Sequence, residues 1–422
     1  MNPAYETLIR SYILQNAAKT MKPADDLFPY PFVDPGSVYD GNLWDWDSFW
    51  AVYALLCLCK GNGDSFRNKV LEHAQGNVRN FFAFQLSDGY IPMMIEKNAD
   101  DPEPYLIKKH RQGALLNMCK PFLCQQIALI SGFTGDFEWV REFLKKIELY
   151  FECYNKYYYN ANCGLYVWAD DVMIGVDNDP ASFGRPRFST ANIYLNSFLV
   201  MELRAGGKIA RNLGNADLAE TLEKRAETLI SHIQAECWDK RDKIFYSVDT
   251  DIHTRAYDWF HKGLGVFWKT LPIKIRVWSC FLPMLAGFAT KEQAAELVRH
   301  LTDPKTFASP NGIVSLSMDE KMYNLEPSNN PSNWLGPIWL VVQYILFRSL
   351  KNYGYHEEAE RLCNQTIDLL GRDLKKTGTM HEFYHPQTGE PILNGGFLNW
   401  NMLAINMIDE SNGAAPMLDF IL

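Results

Sequence analysis

Residues 168–187 contain a cluster of groups suited to proton transfer. They read WADDVMIGVDNDPASFGRPR and contain four carboxylates. Gly175 and Pro180 predict a loop rather than a helix. A carboxyl such as Asp177, held among aromatic rings and arginines, can have a shifted pKa and act as an acid or a base. The alternative is an ordinary turn, because Asp and Asn before Pro are common turn residues.

A second carboxylate lies inside a match to the zinc metallopeptidase signature, His381-Glu382-x-x-His385. That chemistry needs both histidines on one face of a helix. Here a glycine precedes the match and Pro386 follows it, which predicts a loop, so we expect no bound metal and no cofactor. In the alternative interpretation, Glu382 is the functional carboxylate. Residues 171–179 do not form a calcium loop either, because Gly at the sixth position and Glu at the twelfth are missing.

The stretch YDGNLWDWDSFW, residues 39–50, alternates aromatic rings with carboxylates just where a helix is predicted to begin. Aromatic faces pack on the C–H faces of sugars, and carboxylates accept hydrogen bonds from hydroxyls. Tyr39, Trp44, Trp46 and Asp47 are therefore candidate sugar-binding residues. The alternative is a capped helix with an aromatic face in the core.

Other candidates for substrate contact are spread along the chain. Lys120 precedes a proline near the start of an apolar helix, although an exposed surface lysine is the commoner case. Trp334 and Trp339 lie at the end of a long loop and are either pocket walls or core. The remaining candidates are Tyr90, Gln112, Asn178 and Trp400.

Composition excludes several classes of function. The 422 residues carry a formal net charge of −9 and no basic block, so a nucleic-acid partner is not expected. The apolar runs are too short to span a bilayer, and the first residues lack the apolar core of a signal peptide. Nine scattered cysteines without a Cys-x-x-Cys pair indicate reduced thiols. We therefore expect a cytoplasmic protein, which could form a homo-oligomer.

Helical periodicity dominates the chain and predicts an all-α protein. The predicted segments are 4–19, 46–60, 65–86, 112–131, 136–156, 189–212, 215–236, 257–269, 276–287, 291–301, 334–352, 355–375 and 397–409. Short turns alternate with long connections at 21–45, 87–111, 157–188, 238–256, 302–333 and 376–396. Loops this long are usually functional. The alternation predicts one domain, residues 1–422, built as a toroid of paired antiparallel helices with its long loops on one rim.

Taken together, these motifs resemble glycoside hydrolase family 63 and its relatives, which include bacterial α-glucosidases, glycosylglycerate hydrolases and, more distantly, trehalases. Seven pieces appear in the family's order: WDSF at 46–49, DGYIP at 88–92, NMCKP at 117–121, GVDNDP at 175–180, GPIW at 336–339, EFYHPQTG at 382–389 and FLNW at 397–400. The resemblance implies an (α/α)6 barrel and an inverting mechanism. It implies that Asp177 is the general acid and Glu382 the general base.

The resemblance also implies a sugar pocket lined by Asp47, Lys120, Asn178, Trp339 and Trp400. The chain departs from the family pattern at Asp179, where the family often has Ser. The family also has an Arg soon after the proline, whereas here Arg185 and Arg187 come later. The family's N-terminal β-sandwich is not matched, since predicted helices begin at residue 4, and this short form favours a small substrate.

The sequence therefore predicts an inverting α-glycosidase acting on a small α-glucoside or α-mannoside, either a disaccharide or a glycosylglycerate. In the second case Lys120, Arg185 and Arg187 would meet the anionic leaving group. Two rival classes stay open. One is a zinc peptidase using His381 and His385, and the other is a non-catalytic sugar-binding toroid.

Overall fold

The computed structural model describes residues 1–98, 100–171, 174–252, 268–326 and 332–422. The α-helices in these ranges are α1 Pro3–Asn16, α2 Asp45–Leu58, α3 Gly63–Ala83, α4 Tyr105–Arg111, α5 Leu123–Thr134, α6 Leu144–Tyr157, α7 Ile193–Asn212, α8 Ala216–Glu236, α9 Leu282–Leu285, α10 Lys291–Thr302, α11 Leu340–Asn352, α12 His356–Thr377 and α13 Ala404–Ser411. Short 3-10 turns precede α6, α9 and α13 at Glu138–Phe143, Trp278–Phe281 and Asn399–Leu403.

The strands are short and form separate two- and three-stranded sheets. They are β1 Met21–Lys22, β2 Phe32–Val33, β3 Leu43–Trp44, β4 Met94–Ile95, β5 Tyr159–Asn160, β6 Leu165–Tyr166, β7 Thr190–Ala191, β8 Trp238–Asp239, β9 Ile244–Phe245, β10 Val248–Asp249, β11 Leu271–Pro272, β12 Ala308–Ser309, β13 Gly312–Ile313, β14 Ile338–Trp339, β15 Phe383–Tyr384 and β16 Pro391–Leu393.

Sequence pattern separates the helices into an inner and an outer set. Helices α2, α5, α7, α9, α11 and α13 are buried over most of their residues. Helices α1, α3, α6, α8, α10 and α12 bury one stripe each; in α8 it is Ala219, Leu222, Ala226, Leu229 and Ile233. A helix that is apolar all round belongs inside, and one with a single apolar stripe covers it.

The inner helices form a closed ring. Contacts run from α2 to α5, then to α7, α9, α11 and α13, and α13 returns to α2. Outer helices pack against this ring, as α8 does on α7 and α12 on α11. Six inner and six outer helices in alternation make an (α/α)6 barrel, so the predicted fold is confirmed. None of the described helices is both long and apolar enough to cross a membrane.

The connections explain where a site can form. Each inner helix leads through a short turn to an outer helix, whereas each outer helix leads through a long connection to the next inner one. Since paired helices are antiparallel, all the long connections end on the same rim of the barrel. Every strand among the described residues lies in one of these connections, so one rim carries the irregular structure expected of a functional site.

Two predicted helical segments begin later in the structure than expected. The segment 112–131 becomes helical only at Leu123, because the residue before Pro121 favours extended backbone. The helix at Tyr105–Arg111 was not predicted. The segment 334–352 begins at Leu340, because Ile338–Trp339 instead pair with Phe383–Tyr384. Most of the predicted segment 257–269 lies outside the described residues.

Candidate active site

A small cavity opens at the rim where the long connections meet the first turn of α2. Its volume is about 60 Å³. It is lined by four aromatic residues, three carboxylates, a glycine and a serine: Tyr39, Trp44, Trp46, Trp400, Asp47, Asp177, Glu382, Gly175 and Ser332. The predicted loops 157–188, 302–333 and 376–396 each contribute to this wall.

Asp177 is presented by a tightly turned loop. The neighbouring Asn178 accepts a hydrogen bond from the backbone N–H of Trp334 at 2.7 Å and donates to Asn333 at 3.2 Å. Burial raises the pKa of the Asp177 carboxyl, while a hydrogen bond from Ser332 opposes the shift. A buried carboxyl with a raised pKa is suited to holding a proton near neutral pH.

Gly175 allows the loop to pass over the site. Its φ is +82°, in the region that favours glycine. A Cβ atom at this position would lie 3.5 Å from Trp46 and 3.4 Å from the Lys120 side chain. The backbone therefore runs against the wall of the cavity, which brings Asp177 next to it.

Glu382 directly precedes β15 in the sheet β14–β15–β16, and its N–H donates to Leu393 O at 3.2 Å. The Tyr39 hydroxyl donates to Oε1 at 3.3 Å, and the Asn394 amide donates to Oε2. Burial, together with the negative charge of Asp177, raises the pKa of Glu382 to about 7, while both hydrogen bonds lower it. The hydrogen bonds favour the ionised form of this carboxyl.

The His-Glu-x-x-His match lies in an extended segment and not on a helix, since Phe383 and Tyr384 are strand residues. His381 Nδ1 contacts Asp373 Oδ2 at 2.9 Å, and His385 Nδ1 accepts two backbone N–H groups at 3.2 Å. Within the described ranges, no group of three His, Cys, Asp or Glu side chains could hold a metal ion. The metallopeptidase geometry is therefore not present at this match.

Asp47 lies in the first turn of α2, where helix geometry points it into the cavity. Asn399 Nδ2 donates to Asp47 Oδ1 at 2.6 Å. Burial raises the pKa of Asp47 to about 8; the charge of Lys120 opposes the rise, while neighbouring carboxylates, including Glu382 and Asp177, add to it. The three carboxyls therefore sense one another's charge.

Lys120 forms a buried ion pair and is not a surface lysine. Its Nζ lies 2.7 Å from Asp45 Oδ1, and both side chains are 1% exposed. The same carboxylate accepts the backbone N–H groups of Lys120 at 2.5 Å and of Trp46 at 2.6 Å. Asp45 thus joins the start of α2 to the segment before α5, directly behind the cavity wall.

Several predicted site residues lie behind the wall or away from it. Trp334 stacks on Trp339 with ring centroids 4.0 Å apart, and Trp339 meets Trp400 at 5.8 Å, so both support the lining. Tyr90 is buried, stacked on His110, and donates to a backbone carbonyl. Gln112 is exposed after α4 and does not line the cavity.

The carboxyls of the site differ in what raises their pKa values. The repulsion among carboxylates acts on Glu382 and Asp47, whereas burial is the main cause of the raised pKa of Asp177. The aromatic walls of the cavity are Tyr39, Trp44, Trp46 and Trp400; Trp168 instead contacts Tyr194 at 6.2 Å.

Sequence reasoning missed Ser332, Asn394 and Asn399, which bond to the three carboxylates. Asn399 stands in the FLNW piece and could have been proposed from it. Asn394 has a φ of +53°, and Asn before a glycine pair is only a general turn signal. Ser332 has no local signal, because its role depends on a contact between distant loops.

Residues 42–400 match the family model described as the mannosylglycerate hydrolase MGH1-like glycoside hydrolase domain. Among curated relatives, the chain is 24% identical over 66% of its length to a probable mannosyl-oligosaccharide glucosidase of Schizosaccharomyces pombe. It is 31% identical over 39% of its length to mannosylglycerate hydrolase MGH1 of Selaginella moellendorffii. These matches span 32% and 30% of the respective relatives, about a third of their length.

Solved structures agree on the fold. A family 63 mannosylglycerate hydrolase from Thermus thermophilus, in complex with glucose, superposes with a TM-score of 0.66 at 17% identity, covering 94% of this chain and 98% of that one. Neutral trehalase Nth1 from Saccharomyces cerevisiae superposes with a TM-score of 0.59 at 16% identity, covering 93% and 77%. At these identities the likeness concerns the barrel.

Proposed function

Because the chain belongs to the mannosylglycerate hydrolase MGH1-like group of glycoside hydrolase family 63, we propose that it hydrolyses a small α-glucoside or α-mannoside with inversion at the anomeric carbon. One observation carries the proposal: Asp177 and Glu382, about two hundred residues apart in sequence, line one cavity with aromatic walls. Two carboxyls across a glycosidic bond are what this hydrolysis requires. The proposal includes a cytoplasmic location, in line with nine free cysteines.

In the proposed mechanism Asp177 is the general acid. Burial raises its pKa and so favours the protonated form, and in this role the carboxyl gives its proton to the leaving oxygen. Glu382 is the general base. It accepts hydrogen bonds from Tyr39 and Asn394, which stabilise the ionised form, and it removes a proton from the attacking water on the other face of the sugar.

Burial raises the pKa values of both carboxyls, so these values do not distinguish the acid from the base. We assign the two roles from the hydrogen bonds of each carboxyl and from the position of each residue in the family motifs. Mutual repulsion favours one proton on the pair. Tyr39 and Asn394 donate to Glu382, whereas Ser332 donates to Asp177, whose pKa the charge of Lys120 also lowers. The proposed assignment places the proton on Asp177 in the working form, as its position in the family motif implies.

The aromatic residues have a second part in the proposal. Trp44, Trp46 and Trp400 line the cavity, and their indole N–H groups have no partner among the described residues. The rings supply faces for the sugar, and the N–H groups would donate to its oxygens.

The test is the anomeric form of the first product. Purified protein is incubated with a panel of α-glucosides and α-mannosides, and proton NMR follows the released sugar. Early accumulation of the β-anomer supports inversion. Early release of the α-anomer contradicts it, and binding without turnover across the panel would favour the non-catalytic sugar-binding alternative.

A further inference from the structure

We infer that Asp34 is a positioning residue for the general base. Its carboxylate closes the loop that carries Tyr39, and so holds the Tyr39 hydroxyl against Glu382. Asp34 itself does not line the cavity. The inference rests on the proposed function, because it concerns the residue that acts as the base there.

The loop in question, residues 34–41, connects β2 to β3 and is called the Tyr39 loop below. Asp34 directly follows β2, and Gly41 lies two residues before β3. The backbone N–H of Asp34 donates to Thr20 O at 2.9 Å, which continues the pairing of β1 with β2. The first end of the Tyr39 loop is therefore fixed by a small sheet.

The Asp34 carboxylate joins the two ends of the Tyr39 loop. Its Oδ1 accepts the backbone N–H of Gly36 at 3.1 Å, the turn that Asp often makes with the residue two positions on. Its Oδ2 accepts the backbone N–H of Gly41 at 2.7 Å, across the neck of the loop. Lys22 Nζ lies 3.5 Å from the same oxygen and also bonds to Asp40. The Asp34 side chain is fully buried, so water does not compete for these bonds.

The crest of the Tyr39 loop is open to solvent. Val38 is 68% exposed, and the Asp40 side chain is 64% exposed. Ser37 has a φ of +56°, a conformation that a residue other than glycine keeps only where surrounding contacts maintain it. Because packing contributes little at the crest, the hydrogen bonds at the neck determine much of the position of the loop.

The position of the Tyr39 loop matters to the base through one hydrogen bond. Burial raises the pKa of Glu382 to about 7, and the Tyr39 hydroxyl opposes this rise by donating to Oε1 at 3.3 Å. This distance is already longer than most O–H···O hydrogen bonds. A further displacement of the loop away from Glu382 would therefore break the bond.

Asp34 is ionised at neutral pH. Burial raises its pKa to about 6, while the N–H of Gly41 and the charge of Lys22 oppose the rise and the charge of Asp40 adds to it. The ionised carboxyl has two acceptor oxygens, one for each end of the loop. The form that closes the loop is therefore the one present at the pH where the base works.

The main experiment is the pH dependence of kcat/KM in Asp34→Asn. The amide keeps the size of the carboxylate but has one acceptor oxygen and an NH₂ donor, so it can receive only one of the two N–H groups. We expect the acid limb to move to higher pH by about half to one unit, because Glu382 loses the bond from Tyr39.

The direction of the shift separates this effect from a change of charge. Removing the negative charge of Asp34 would by itself lower the pKa of Glu382 and move the limb to lower pH. A second check is the double variant Asp34→Asn/Tyr39→Phe. Its limb should lie no higher than that of Tyr39→Phe alone, because both changes remove the same hydrogen bond.

Asp239→Ala is the matched control. The Asp239 carboxylate also accepts two backbone N–H groups, those of Arg241 and Asp242 at 2.8 Å, and pairs with Lys274 at 2.9 Å. It lies in the β8–β9 hairpin and does not line the cavity. Its loss should lower the midpoint of thermal unfolding and leave the acid limb in place. A similar upward shift in this variant would contradict the inference.

Lys22→Met tests the same loop if Asp34→Asn does not fold. It removes the ammonium group that holds the carboxylates of Asp34 and Asp40 together. The acid limb should move to higher pH in the otherwise unmodified protein, and should not move further in the Tyr39→Phe background. A shift of equal size in both backgrounds would show an effect of charge alone and overturn the inference.

The possible failures are distinguishable. An acid limb that stays in place or moves to lower pH in folded Asp34→Asn would overturn the inference and leave the hydrolase proposal standing. An unmodified protein that hydrolyses no α-glycoside of the panel would overturn the hydrolase proposal, and this inference with it.

Discussion

Asn178 accepts a hydrogen bond from the backbone N–H of Trp334 at 2.7 Å, although the two residues are 156 positions apart in sequence. The bond joins two of the long connections directly beside Asp177. Both residues are buried, so a water molecule cannot easily take the place of either partner if this hydrogen bond is lost. The position of the proposed acid therefore depends on a contact between two loops.

Asn178→Ala should lower both stability and activity. It leaves the Trp334 N–H buried without its partner, which costs about 1–3 kcal/mol. Urea unfolding and kcat measured on the same preparations check this. Asn212→Ala, an exposed asparagine whose amide donates to Lys208 O, is the control and should change neither by much. Full activity in Asn178→Ala would show that the loop contact does not position Asp177.

Asp177→Asn should slow glycosides with poor leaving groups by about 10²–10⁴-fold, the usual contribution of general acid catalysis. An α-glycosyl fluoride leaves without protonation, so the same variant should keep much more of its activity on that substrate. The measurement compares the initial rates of the variant and of the unmodified protein on both substrates. An equal loss on both would assign Asp177 a role other than proton donor.

Glu382→Gln should lose activity on both kinds of substrate, because attack by water needs the base whichever group leaves. Adding azide or another small anion should not restore turnover with retained configuration. Recovery of activity with azide and a product of retained configuration would point to a retaining pair of carboxyls instead.

Tyr39→Phe should shift the acid side of the pH–rate profile to higher pH. The pKa of Glu382 is about 7, and only the ionised form works as a base, so kcat/KM falls as pH falls through that value. The Tyr39 hydroxyl lowers this pKa by donating to the carboxylate, so its removal raises the pKa. Tyr246→Phe, which loses a similar bond to Asp242 at 3.2 Å, is the matched control. A profile that does not move, or moves to lower pH, contradicts the assignment of this limb to Glu382.

Chelators should leave activity unchanged. His381 and His385 lie in an extended segment with their Nδ1 atoms engaged, so the signature lacks the helix that presents both rings to one zinc ion. Rates before and after dialysis against EDTA, with metal analysis of the purified protein, check this. Stoichiometric zinc whose loss abolishes activity would revive the peptidase alternative.

Much of the fold could be predicted from the sequence because helical periodicity is a local property. The predicted segment 215–236 corresponds closely to the observed helix α8, Ala216–Glu236. The long connections could also be predicted, because their Pro, Gly and Asp residues are local signals of loops, and these loops indicated the functional rim. Candidate carboxylates could also be found locally, since Asp177 and Glu382 each stand in a distinctive loop sequence.

Only the tertiary structure decided which of these residues share a cavity. Trp334 and Trp46 are both large aromatic residues beside long loops, but one supports the wall and the other lines it. Lys120 resembled a surface or substrate-binding lysine until its burial against Asp45 accounted for its charge. Ser332 and Asn394 could not be found from sequence, because a hydrogen bond to a distant carboxylate depends on where two loops meet. Periodicity and composition determine single elements, whereas the chemistry of a site depends on burial and contacts between elements far apart in the chain.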